Sequence, residues 1–271
     1  MESARRVVAR VAQGVLLVEC GWVLWTLVGG DRRYPVGVDF RIYAAAAARW
    51  LHGGAFYPAY QLAGPYGILV PPFVPPGAAP AIMYPPVALL LFVPFVFLPA
   101  VLWWAVPSAA VAWALSRIRP AWWAWCLMAA LALYPRVPEA VQNGNPVIWA
   151  FAAAMMGAAY RWPFALVLVK PTLAPFALLG ARDRRWWIVV ALGGLAALAF
   201  LPMWPDFVRV SLNMRAWPGF LWHDWPLLTI AAVAWLSVQW PSFVHGRVRR
   251  AERLGQEPPA AAEANVPPSS T

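Results

Sequence analysis

Apolar residues run through this chain in stretches of about 15 to 20, the length a helix needs to cross a hydrocarbon layer, separated by short charged or proline-rich breaks. The stretches are Val11–Gly30, Met83–Leu98, Ala100–Ser116, Ala121–Tyr134, Pro146–Tyr160, Trp162–Leu179, Trp186–Trp204 and Trp225–Val244. They predict an all-α membrane bundle of about eight spans with both termini cytoplasmic. Several are shorter than about 20 residues and interrupted by proline, which implies tilted, broken or re-entrant helices. Trp162–Leu179 has a second reading, a re-entrant hairpin with its apex near Lys170 and Pro171. The pattern leaves that choice open, and with it the side on which Val137–Asn145 lies.

Composition agrees with the pattern. Hydrophobic residues make up 62% of the chain and charged ones 12%, with a mean hydropathy of +0.59, too little polar surface to enclose a water-soluble core. The net charge of +10 would suit nucleic acid if it were a surface patch. Instead Arg5, Arg6 and Arg10 precede the first stretch, Arg182, Arg184 and Arg185 sit in a short connection, and Arg247, Arg249, Arg250 and Arg253 follow the last. That is the positive-inside distribution of a plasma-membrane protein, not a nucleic-acid footprint. Arg117 and Arg119 conflict with it, because an eight-span count puts them outside. The first stretch is too long for a signal-peptide core and reads as an uncleaved span. Cys20 and Cys126 lie far apart in apolar runs, so neither disulfide nor zinc is expected. Residues 1–244 form the membrane domain; 245–271 read as a cytoplasmic tail, basic and then disordered in its Pro- and Ala-rich end.

The long polar interval Asp31–Ile82, non-cytoplasmic if the N-terminal arginines fix the start, carries the candidate chemistry. Asp39–His52 is Ala-rich, free of Gly and Pro, and reads as an amphipathic surface helix. Its period puts Asp39, Tyr43, Ala46 and Trp50 on one face and Arg41, Ala45, Arg49 and His52 on another. Asp39 has two readings, a helix N-cap and a catalytic carboxylate able to take a proton from an attacking hydroxyl. Lys170 is the one lysine in the chain and lies within an apolar stretch, where an unsatisfied ammonium costs about 3 kcal/mol. Snorkelling or a bond to another helix would answer that cost, and a lipid phosphate answers it better.

GVDFRIYAAAAARWLHGGAFYP followed by MYPPVALLLFVPFVFLP resembles the opening of glycosyltransferase family 87, polyprenyl-phosphate-mannose-dependent enzymes of the GT-C fold. Asp39, Tyr43, Gly53, Tyr57, Pro58, Tyr84, Pro85 and Pro86 match its pattern, and Lys170, Pro171 and Thr172 match its Lys-Pro-Thr segment. EAVQNGNPVIW departs from the family's Gly-Gln-x-Asn element, since here Gln142 does not follow Gly. The resemblance covers Gly37–Arg185 of a chain short for that family. It implies Asp39 as the catalytic base, and Lys170, Tyr43, Tyr57, Tyr84, Asn143 and Asn145 as substrate-binding residues. The implied partners are a polyprenyl-phosphate-linked sugar donor, a lipid or glycan acceptor and the bilayer.

On this reading Asp39 accepts the acceptor's proton in an inverting transfer, while Lys170 and a loop arginine hold the departing phosphate. No cofactor is required, and a divalent ion stays open, although no Asp-x-Asp pair exists for a nucleotide-sugar metal. The rival is a non-catalytic transporter, scaffold or accessory subunit of envelope glycan assembly, in which Asp39 would have no chemical task.

Overall fold

In a computed structural model the chain is described at residues 2–29, 36–66, 79–214 and 224–253, with side chains at all of these but 27–29 and 240–253. Residues 254–271, the Pro- and Ala-rich part of the expected tail, fall outside the described residues. The described residues are helical, with no strand beyond one isolated bridge between Tyr66 and Met214.

Helix α1 covers Glu2–Gly29, α2 Val38–Leu51 and α3 Ala59–Ala63. A 3-10 turn at Pro86–Ala88 leads into the single turns α4 (Leu89–Phe92) and α5 (Pro94–Phe97). Then come α6 (Leu102–Ile118), α7 (Trp122–Ala132), α8 (Arg136–Asn143) and α9 (Val147–Tyr160). Residues Trp162–Gly180 form 3-10 turns around the short α10 (Ala174–Ala177), and α11 (Arg184–Leu198), α12 (Trp204–Asn213) and α13 (Trp225–Arg253) complete the chain.

The stretch Met83–Leu98 is not one continuous helix. Pro85, Pro86 and Pro94 remove the donors a straight rod would need, and Pro86–Phe97 meets Leu102–Ile118 at 116°. Glu2–Thr26 is the one described helix long and apolar enough by itself to cross a membrane. Up to three crossings exist if each bent pair, this one and Arg184–Leu198 with Leu201–Asn213 at 77°, counts as one. The remaining apolar helices are shorter; α7, with 11 residues, reaches only about 16 Å at 1.5 Å per residue.

Trp162–Leu179 folds back on itself. A Cβ on Gly180 would stand 2.4 Å from the Arg161 carbonyl and 3.0 Å from Phe164 Cβ, so the two ends of the segment meet. Lys170, midway between them, has the extended conformation φ −120, ψ 95. Of the two readings the sequence left open, the chain takes the hairpin.

The helix ends sort into two groups. At one end the Arg5 guanidinium lies 5.8 Å over the Trp122 ring, Trp113 Nε1 donates to Tyr160 Oη at 2.9 Å, and Arg161 Nη2 donates to Gln239 Oε1 at 3.4 Å. Arg117 and Arg119 close α6 beside Pro120, which with Arg5 and Arg6 lines one shallow cavity, so the arginines that conflicted with a positive-inside count share the N-terminal arginines' end. At the other end stand α2, α4, α5, α8, α12 and the apex of the hairpin. Two apolar clusters fill the molecule accordingly: α7, α9, the hairpin and α13 around Met155, Phe164 and Leu228, and α2 with the 82–95 segment around Tyr43, Tyr84, Phe92 and Trp103.

Candidate functional site

Two glycines in the left-handed region bring the ends of α2 and α8 together. Gly37, at φ 71, precedes α2 and donates its N–H to the Gln142 carbonyl at 2.9 Å; Gly144, at φ 66, terminates α8. At Gly144 a Cβ would come within 2.7 Å of Trp104 and 3.0 Å of Phe40, so only glycine fits. Trp103 Nε1 donates to the Gly144 carbonyl at 2.8 Å and Trp104 Nε1 to that of Val141 at 2.7 Å. The next residue, Asn145, is thereby held against the first turn of α2.

Asp39 is the second residue of α2 and not its cap; Gly37 holds that position, with no side-chain cap bond. The carboxylate instead accepts from Asn145 Nδ2 at 2.7 Å through Oδ2. Asn145 Oδ1 accepts the Val147 N–H at 3.0 Å, which fixes the amide so that its NH2 must face Asp39. The Tyr84 hydroxyl reaches the same Oδ1 at 3.5 Å. The face foreseen for this helix is the one that faces inward: Tyr43 and Ala46 are buried, Trp50 packs on Phe200 at 5.9 Å, and Arg41 and Ala45 are exposed. Arg49, in the last turn of α2, donates to the carbonyls of Ala55 and Phe56 at 2.7 and 2.8 Å.

Tyr84 links this carboxylate to Lys170. Its ring meets the edge of Tyr43 at 5.0 Å, its carbonyl accepts from Tyr57 Oη at 2.8 Å, and the Lys170 ammonium lies 5.3 Å from its ring centroid. Tyr57 is buried, with its hydroxyl committed to that backbone, and Tyr43 stacks on Phe92 at 4.9 Å. Lys170 Nζ donates to Asp224 Oδ2 in an ion pair whose side chains are 16% and 12% exposed. Asn143 is the last residue of α8, but the amide that reaches Asp39 is that of Asn145.

Burial pushes the Asp39 carboxyl up from the ordinary carboxylate range. The Asn145 bond and the Lys170 charge pull it down by less, and the Asp224 and Glu139 charges add to the rise. A carboxylate so placed is a stronger base than one in water. Burial likewise pushes the Tyr43 hydroxyl well above its usual value, so it remains neutral. Among the described residues no group of three or more His, Cys, Asp or Glu is placed to hold a metal ion.

The structure thus brings together Asp39, Asn145, Tyr43, Tyr84 and Lys170 from four separate segments, with Tyr57 behind them. It adds Asp224, immediately before α13, as the partner of Lys170. The available signal was Lys170 itself, since a lysine among apolar residues needs a counter-charge. No family model, curated protein or solved structure matches this chain.

Proposed function

We propose that the chain is a multi-pass membrane glycosyltransferase that moves a sugar, mannose in the first instance, from a polyprenyl-phosphate donor to a lipid or glycan acceptor on the non-cytoplasmic face. One observation carries this reading: a half-buried carboxylate and the chain's single lysine, 131 positions apart in sequence, meet around Tyr84 at the end of the bundle opposite the N-terminal arginines, Arg117 and Arg119.

The acceptor hydroxyl attacks the anomeric carbon while its proton passes to Asp39 Oδ1, the oxygen that Asn145 leaves free. The bond from the anomeric carbon to the phosphate oxygen breaks, and its electron pair stays on the phosphate. Charge grows there as the bond breaks, so a cation fixed beforehand lowers the barrier. In-line attack inverts the anomeric centre. The resemblance of the 37–86 segment to glycosyltransferase family 87 supports the same donor class, and the cluster of arginines at the opposite end supports a non-cytoplasmic site.

The test is transfer of radiolabelled mannose from synthetic polyprenyl-phosphate-mannose by the purified full chain in lipid nanodiscs. Binding of the donor without any transfer to acceptor lipids would remove the enzymatic reading in favour of an accessory lipid-binding subunit.

A further inference from the structure

Lys170 is not waiting empty-handed for a phosphate. Its ammonium is held at the hairpin apex between two 3-10 turns, and its partner is Asp224, the residue immediately before α13. Both side chains are largely shielded from water. Shielded from water, the two charges attract each other more strongly but at a desolvation cost, so the pair is sensitive to any other anion that can reach the same cation. A phosphate entering beside Tyr84 meets the lysine only on terms set by that carboxylate, because one ammonium has three donors and a single charge to share.

We infer that Asp224 is an affinity- and selectivity-setting residue of the phosphate subsite: it occupies Lys170 in the resting site, gives way to a phosphate oxygen when a lipid phosphate binds, and returns when that phosphate leaves. This inference rests on the reading of Lys170 as the phosphate-binding cation. It adds a consequence for turnover. The donor is a phosphodiester with one negative charge, whereas the released polyprenyl phosphate is a monoester carrying about −1.5 to −2. A carboxylate beside the lysine opposes the more highly charged product more strongly than the donor, and so favours its departure.

Binding is measured for polyprenyl phosphate, polyprenol and inorganic phosphate on the full chain in nanodiscs. Asp224→Asn keeps the shape and a hydrogen-bonding oxygen but removes the competing charge, and is expected to bind polyprenyl phosphate about tenfold more tightly than the wild type. Asp224→Glu should bind as the wild type does, and Lys170→Met should bind no phosphate lipid. Tighter binding of inorganic phosphate as well assigns the effect to the phosphate group; tightening only with the lipid assigns it to phosphate and chain together, and both outcomes support the exchange. Unchanged or weaker binding by a folded Asp224→Asn protein overturns it.

The wild type offers a check that needs no variant to fold. With one lysine in the chain, 15Nζ labelling gives a single lysine side-chain resonance. It should shift on addition of polyprenyl phosphate and stay in place with polyprenol. If polyprenyl phosphate binds and the resonance does not move, the lysine has kept Asp224 and the exchange is wrong. If the wild type binds no phosphate lipid at all, the failure lies in the functional proposal beneath it.

Discussion

At Asp39, shape and charge can be separated experimentally because Asn145 donates to Oδ2, while Oδ1 is the atom asked to take a proton. Asp39→Asn removes the basic oxygen at nearly constant volume. Mannose transfer should fall by about a hundredfold or more with donor binding retained, whereas wild-type turnover in the variant would leave the carboxylate a purely structural task. The raised Asp39 carboxyl also fixes the sign of the pH dependence. Activity needs the ionised form, so kcat/KM should rise with pH through a midpoint above the ordinary carboxylate range of about 4. Stability runs the other way: a carboxyl raised in the folded state favours the protonated protein. Its contribution is therefore full below the ordinary value and is lost as pH climbs through the raised one. Melting temperatures measured across that window should fall less in Asp39→Asn than in the wild type. Asp39 was legible as a carboxylate at the start of a helix, but its orientation was not. Asn145 lies 106 positions away, and no local pattern in EAVQNGNPVIW says that Gly144 turns the chain back against Phe40 and Trp104.

Among the elements, α2 was the most readable, since its buried and exposed faces follow from a 3.6-residue period and only its entry point differs, at Gly37 and not at Asp39. The 83–98 segment was the least. Hydropathy sees an apolar run of spanning length there and is blind to prolines that break it into single turns, just as it is blind to the return of the 162–180 segment. The hairpin's closure makes a sharp prediction. Gly180→Ala puts a methyl against the Arg161 backbone, and backbone cannot move aside as a flexible side chain can. The variant should lose thermal stability by several degrees and weaken lipid-phosphate binding through the displaced apex. Gly64→Ala, where a Cβ meets nothing within 4 Å, serves as the neutral control. Equal melting points for the two would show that the hairpin tolerates opening at its base.

For the molecule as a whole, Arg117 and Arg119, which an eight-span count put outside, share an end with the N-terminal arginines, while Arg41, Arg49, Arg136 and Arg209 stand on the elements of the other end. Arg5, Arg6, Arg117, Arg119 and Arg161 belong to one end, and Asp39 with Lys170 and Asp224 to the other. In a background lacking Cys20 and Cys126, a cysteine at Gly64 should react with a membrane-impermeant thiol reagent added to intact cells, and one at Arg182 should react only after permeabilisation. The reverse pattern would move the site to the cytoplasmic face and end the proposal of a non-cytoplasmic donor.

The ion pair between Lys170 and Asp224 also has a meaning in time. During synthesis the lysine leaves the ribosome 54 residues ahead of its counter-charge, and throughout that interval nothing of the chain's own can neutralise it as Asp224 later does. An ammonium that costs about 3 kcal/mol in hydrocarbon gives the hairpin reason to stay shallow until the beginning of α13 arrives. The site would then be finished among the last events of biogenesis, and nascent chains halted before residue 224 would carry Asp39, the tyrosines and the lysine without being able to seat that lysine.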